Sequence, residues 1–161
     1  MIGECIMMRI AVFSDTHGDI KRCVHIIDSI KPDIVIHAGD CENDARALVS
    51  MYPELKFYCV CGNNDFSRTF PPQVVFEADG KKIFVTHGHE YKVKYESTYT
   101  TLYEKAKEFN ADLCVFGHTH IPYSDFREGM RILNPGSIRY GGTYGVCEIE
   151  NGRLKTCILE I

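Results

Sequence analysis

Ile34-Val35-Ile36-His37-Ala38-Gly39-Asp40 is an apolar run that ends abruptly in a glycine and then a carboxylate. Such a run reads as a buried strand whose tip delivers a polar side chain into a loop. Working outward, three more strand-like runs end in the same way, at Asp15-Thr16-His17, Gly62-Asn63-Asn64-Asp65 and Gly117-His118-Thr119-His120. Ile83-Phe84-Val85-Thr86-His87-Gly88-His89 makes a fifth. In a layered α/β arrangement the ends of neighbouring strands meet at one sheet edge, so the five polar tips are expected to converge on a single site.

The intervening sequence supports that arrangement. Arg9 to Ser14 reads as a strand, and Val24, Ile27 and Ile30 recur at helical spacing in a helix from about Asp19 to Ile30. Lys31-Pro32-Asp33 ends it before the strand at Ile34, which makes a βαβ unit and hence a parallel sheet. A second helix runs from Asn43, a candidate N-cap, to Met51. Phe57 to Cys61 is a strand, Phe70-Pro71-Pro72 breaks regular structure, and strands at Val74 to Glu77 and Lys82 to Thr86 flank a hairpin signal at Asp79-Gly80. A third helix is expected from Tyr99 to Phe109, then a strand from Leu113 to Phe116. The remainder is strand-rich, with Tyr123 to Arg127, Arg131 to Leu133, Tyr144 to Ile149 and Leu154 to Leu159 separated in pairs by Glu128-Gly129 and Asn151-Gly152. Tyr91, Tyr95, Tyr99 and Tyr103 would form a packing stripe if the third helix began earlier.

A chain of 161 residues fits one domain over residues 1–161, with residues 1–7 as a short extension before the first strand. Hydrophobic residues at 45% and charged residues at 25% describe an ordinary globular protein. A net charge of −4 argues against a broad nucleic-acid or anionic-membrane surface, and no apolar run reaches membrane-spanning length. The eight cysteines are scattered, form no Cys-x-x-Cys pair, and follow no basic, apolar leader; reduced thiols and a cytoplasmic location are the expectation.

Asp15 and His17 lie two residues apart in an extended segment, so both side chains can face one ion. A mixture of Asp, His and Asn suits Mn²⁺, Fe or Zn²⁺ better than Ca²⁺, and the lack of a cysteine cluster argues against structural zinc. One Asp-x-His alone is a weak signal; five polar tips at strand ends are a strong one. His37 reads as a core histidine, His25 as solvent-facing, and Cys41, next to Asp40, as a buried thiol or a soft ligand.

These residues resemble the calcineurin-like metallophosphoesterases, specifically their small phosphodiesterase branch. The likeness runs in family order from Asp15-x-His17 through Gly39-Asp40, Gly62-Asn63, His87-Gly88-His89 and Gly117-His118-Thr119-His120 to Asn134-Pro135-Gly136-Ser137. It implies a four-layer αββα sandwich of two mixed sheets flanked by helices. It also implies two divalent metal ions, manganese foremost and nickel, iron or zinc compatible. One would be held by Asp15, His17, Asp40 and His120, the other by Asn63, His87 and His118, with Asp40 bridging. The implied reaction is hydrolysis of small phosphodiesters by a metal-bridging hydroxide, with weaker action on monoesters.

At one position the sequence departs from the commoner pattern, which has a histidine acid after the asparagine ligand. Here that position is Asn64, and an amide cannot serve as a general acid. The proton would come from elsewhere, with His89 and Asp65 nearby; His89 is balanced between substrate contact and structural hydrogen bonding, and Asp65 reads as support for a ligand. Arg139 is a candidate phosphate contact or an ordinary loop arginine. The same fold also resembles the retromer's phosphoesterase-like subunit, so a weakly catalytic protein-binding scaffold is the alternative, and a homo-oligomer is compatible with either.

Overall fold

A computed structural model describes residues 6–161; Cys5 and most of the expected extension over residues 1–7 lie outside the described residues. Its strands are β1 (Met8–Phe13), β2 (Ile34–His37), β3 (Lys56–Cys59), β4 (Gln73–Ala78), β5 (Lys81–Thr86), β6 (Leu113–Val115), β7 (Tyr123–Arg127), β8 (Met130–Asn134), β9 (Thr143–Glu150) and β10 (Arg153–Glu160). Three helices, α1 (Ile20–Ile30), α2 (Glu42–Met51) and α3 (Thr100–Glu108), and one 3₁₀ turn at His89–Tyr91 complete it. One sheet has the order β10, β9, β1, β2, β3 and the other β4, β5, β6, β8, β7.

Strand parity builds four layers from these two sheets. Ile10 and Val12 of β1 and Ile34 and Ile36 of β2 meet Ile83 and Val85 of β5, Leu113 and Val115 of β6 and Leu133 of β8 in one core between the sheets. The alternate residues point outward, as side chains on a strand must. Ala11, Phe13 and Val35 pack against Cys23, Ile26 and Ile27 of α1 and Leu48 of α2. Phe84, Cys114 and Ile132 pack against Leu102, Tyr103 and Ala106 of α3. The result is the αββα sandwich expected from the sequence.

The parallel strands also bring the polar tips together. Phe13, His37 and Cys59 are register partners at the ends of β1, β2 and β3, so the loops after these strands leave from one edge. Val85, Val115 and Leu133 align in the same way across β5, β6 and β8. Left-handed residues at Asp79-Gly80, Glu128-Gly129 and Asn151-Gly152 make the three expected hairpin turns. The seven described cysteines are all free, and no described helix is long and apolar enough to cross a membrane.

One local expectation is corrected, and the condition for a tyrosine stripe is not met. Asn43 lies within the first turn of α2, whose N-cap is Cys41 in a left-handed conformation with no side-chain cap. The tyrosines do not form one helical stripe: α3 starts only at Thr100, Tyr91 lies on the 3₁₀ turn, and Tyr95 is 89% exposed. Tyr99 and Tyr103 are nevertheless core residues.

Phe84 is fully buried and stacks on Phe109 with ring centroids 5.3 Å apart. Phe84→Ala is expected to cost about 3–5 kcal/mol of unfolding free energy. Phe126→Ala, at a position 62% exposed, should stay within about 0.5 kcal/mol. Urea unfolding of both variants checks the layer assignment.

Candidate metal centre

Each polar tip is aimed by backbone contacts between loops. Asp15 N–H donates to Gly39 O (3.0 Å), and Gly117 N–H donates to His87 O (3.0 Å), which ties the tips together within each sheet. Across the sheets, His87 Nδ1 lies 2.8 Å from Ala38 O. A carbonyl only accepts, so Nδ1 carries the hydrogen and Nε2 presents its lone pair.

That lone pair faces other acceptors. His87 Nε2 is 3.1 Å from Asn63 Oδ1, 3.5 Å from Asp40 Oδ1 and 4.0 Å from Asp15 Oδ1. Asp15 Oδ2 receives Ser14 Oγ–H (2.5 Å) and His118 N–H (3.1 Å), which leaves Oδ1 for the histidines. His120 Nε2 is 3.0 Å and His17 Nε2 3.8 Å from that oxygen. Asp15, His17 and His120 thus form one cluster able to hold an ion, and Asp15, Asp40 and His87 a second, with Asp15 common to both. The His118 ring stands 5.0 Å from that of His87, and the His89 ring 5.5 Å.

The donor set fits divalent cations. Burying lone pairs against lone pairs is unfavourable unless a positive centre lies between them, and His17 Nε2 is buried without any hydrogen-bond partner. Backbone strain marks the same residues. Asp15, His17, Asp40, His118 and His120 have φ between 42° and 68°, a left-handed conformation that costs an L-residue about 1–2 kcal/mol.

Two glycines serve close approach rather than turning. A Cβ at Gly62 would collide with the Asp40 carboxylate, and one at Gly117 with the Ser14 hydroxyl. Gly39 does make a turn, at φ +97°.

Asn64 occupies the position where an acid was absent, and the structure gives it a different partner. Its backbone N–H donates to Asp40 Oδ1 (3.1 Å) and its side-chain amide to Asp40 Oδ2 (2.8 Å). Burial raises the Asp40 carboxyl, but His87 and the Asn64 hydrogen bonds outweigh it and hold the group below its ordinary value. Asp65 is buried and accepts the N–H groups of Asp40, Glu42 and Gly62. Arg139 is exposed, with Nη1 3.9 Å from Asp19 Oδ2.

The sequence reading missed Tyr140, which stacks on His120 at 5.3 Å and 22° and lies 5.2 Å from His17. Its N–H donates to Ser137 Oγ (3.0 Å), whose hydroxyl donates to Asp15 O (2.9 Å). Its only signal was its place just beyond the Asn134–Ser137 turn, because an isolated loop aromatic has no periodicity to read.

A match to the family model for the calcineurin-like phosphoesterase superfamily domain spans residues 8–152. The chain belongs to that superfamily. It is 35% identical over 152 residues to the Bacillus subtilis protein named probable metallophosphoesterase YsnB, covering 89% of this chain and 86% of the relative. Phosphodiesterase MJ0936 of Methanocaldococcus jannaschii is 25% identical over 181 residues, covering 95% of this chain and all (100%) of that protein. Among solved structures, a conserved Streptococcus pneumoniae protein, a predicted phosphoesterase, superposes with a TM-score of 0.81 at 31% identity, covering 96% of this chain and 90% of the other. Superfamily membership and the two acceptor clusters together mark this sheet edge as the candidate metal centre of a phosphoesterase.

His37 behind the centre is a core residue, as expected. It is fully buried and accepts Gly39 N–H at Nδ1 (3.3 Å), so its Nε2–H donates to Thr16 Oγ1 (3.2 Å), whose hydroxyl donates to Asp44 Oδ2 (2.6 Å). A second ring proton would face the Gly39 N–H, and burial holds His37 below its ordinary value. Burial, and then His87, push His118 down to about 4. For both histidines the unfolded chain takes up a proton that the folded protein refuses, so metal-free protein is expected to lose stability as pH falls from about 6.5 toward about 4. Urea midpoints of chelator-treated protein at about pH 7.5 and about pH 5.5 test this, and equal midpoints would contradict it.

Proposed function

We propose that the chain is a metal-dependent phosphodiesterase that uses two divalent ions. Manganese is the foremost candidate, on the mixture of carboxylate, amide and imidazole donors. The observation that carries the reading is the convergence of acceptors from separate loops on Asp15 and Asp40, with only histidines as their ion-pair partners among the described residues. Asp15, His17, Asp40 and His120 would hold one ion, and Asn63, His87 and His118 the other, with Asp40 shared on the family likeness, although Asp15 is the carboxylate common to both acceptor clusters. What such a pair supplies when bound is Lewis acidity, activation of water near neutral pH and neutralisation of charge on phosphoryl oxygens.

The chain's own residues then orient and exclude. Asn64 fixes both oxygens of Asp40, and the Ala38 carbonyl fixes the His87 ring, so the acceptors are preorganised. No side chain at position 64 can give up a proton, so esters with good leaving groups are the favoured substrates. Weaker action on phosphomonoesters follows from the same centre. A scaffold would not need strained backbone at five candidate ligands, which favours the enzyme over a protein-binding role.

The test is hydrolysis of an aryl phosphodiester by chelator-stripped protein with Mn²⁺ restored, followed by nickel, iron and zinc. Asp40→Ala should lower turnover about 10³-fold or more and reduce bound metal. Wild-type turnover in that variant would remove Asp40 from the centre, and silence with every metal would favour the scaffold. Asn64→His should raise the rate on alkyl phosphodiesters about tenfold or more while changing aryl esters less. An unchanged alkyl rate would mean that leaving-group protonation is not limiting.

A further inference from the structure

The loop over residues 60–72 closes on itself where Cys61 N–H donates to Pro71 O (2.9 Å). It is anchored to α2 by Thr69 N–H, which donates to Glu42 Oε2 (2.8 Å), and Glu42 is buried. Between this loop and the 3₁₀ turn at His89–Tyr91 lies a cavity of about 430 Å³, bounded by Gly62, Arg68, Phe70, Pro71, His89 and Glu90. Gly62 precedes Asn63, and the His89 ring on the cavity wall lies 5.5 Å from that of His87 and 6.1 Å from that of His118, so the cavity adjoins that half of the centre.

Two groups on its wall have no hydrogen-bond partner for a nitrogen that could meet a ligand, the exposed Arg68 and the ring of His89. Arg68 forms no hydrogen bond or ion pair among the described residues, although its backbone is fixed at a left-handed φ of +47° next to the anchored Thr69. His89 Nδ1 is buried with no hydrogen-bond partner, while its Nε2 faces the Glu90 carboxylate at 3.9 Å. Glu90 disfavours a negative ligand beside His89, whereas Arg68, the cation on the same wall, favours one. Phe70 and Pro71 offer an apolar wall for the carbon body between them.

We infer that this cavity receives one ester arm of the substrate and that Arg68 pairs with an oxyanion on that arm, so the preferred diesters carry a second negative charge beside the phosphodiester. The inference rests on the phosphodiesterase reading. A guanidinium gives a planar fork of donors that matches a carboxylate or a terminal phosphate in bidentate fashion, and both have the required chemistry. Arg68 here is a specificity residue, acting on the arm and not on the reacting phosphorus.

The experiment uses the full chain with metal restored and two size-matched aryl diesters, one with a propyl arm and one with a carboxyethyl arm. Wild type should favour the carboxyethyl ester in kcat/KM by about tenfold or more. Arg68→Gln should abolish that preference while leaving the propyl ester within about twofold, and Arg68→Glu should shift preference toward a trimethylammonioethyl arm. A phosphoethyl arm in place of carboxyethyl tells which oxyanion is preferred, and either preference supports the inference. No preference in wild type, or equal losses on both esters in Arg68→Gln, would overturn it. If no diester is hydrolysed with any metal, the phosphodiesterase reading fails, and the cavity is tested separately by NMR titration with carboxyethyl phosphonate. A shift of the Arg68 side-chain N–H that tracks ligand binding and a weaker ligand affinity in Arg68→Gln would uphold the pocket; unshifted Arg68 and unchanged affinity would overturn it.

Discussion

The carboxylate of Asp65 is the contact on which the geometry of the centre depends. It accepts Gly62 N–H at 2.7 Å, Glu42 N–H at 2.9 Å and Asp40 N–H at 3.1 Å. A buried carboxylate needs hydrogen-bond donors, and three backbone amides satisfy this one without a cation. The consequence is that the tip of β2, the start of α2 and the tip of β3 are held at one point. Gly62 is drawn so near Asp40 that no Cβ fits there, and Asn64, one residue before Asp65, is brought onto the Asp40 carboxylate. The same contact explains how α2 begins without a side-chain cap of its own, since Asp65 reaches the Glu42 amide from a distant loop.

What this scaffold holds in place is a concentration of lone pairs. Among the described residues Asp15 and Asp40 have no lysine or arginine as an ion-pair partner, and burial depresses the pKa of His118 beside them. Left-handed backbone at five of the candidate ligands adds a conformational cost. Neither feature helps the metal-free fold. Both are understandable where a cation completes the arrangement, because an ion that binds only the native state adds its binding free energy to stability. The surrounding layers can carry this cost, since the core between the sheets and the two outer cores are apolar and separate from the centre.

The sequence was most legible where short-range rules act. An apolar run ending in glycine and a polar residue identified the strand tips, and Asp79-Gly80, Glu128-Gly129 and Asn151-Gly152 identified three hairpins, because left-handed turns select these residues. Parallel order then followed from the βαβ unit and placed the tips on one edge. Long-range contacts were not legible. Asn43 had the composition of an N-cap, yet the helix starts earlier because Asp65 satisfies it from another loop. Gly62 and Gly117 are legible only as the ends of apolar runs, whereas what excludes a side chain there is the Asp40 carboxylate and the Ser14 hydroxyl, from the tips of other strands. Tyrosines at regular spacing suggested one stripe, but the left-handed backbone at Tyr99 interrupts it before α3.

The two halves of the centre differ in what surrounds them, and that difference separates construction from selectivity. Asp15, His17 and His120 are backed by Tyr140, by Ser137 on the Asp15 carbonyl and by Cys41, whose Sγ is 3.6 Å from His17 Nδ1. These contacts brace that side, which borders an open hollow lined by Gly18, Cys41 and Asn64. The half containing Asn63 and His87 borders the 430 Å³ cavity under the residue 60–72 loop. The candidate ligands on both sides are tied to strand register, so a change in one displaces its neighbours across the sheet. Between Asp65 and Thr69, by contrast, Phe66, Ser67 and Arg68 are exposed and can vary without moving either anchor. Chemistry fixed by strand ends and selectivity carried on a loop pinned at both ends can therefore change independently, which is why the sequence identifies the centre more readily than the molecule it acts on.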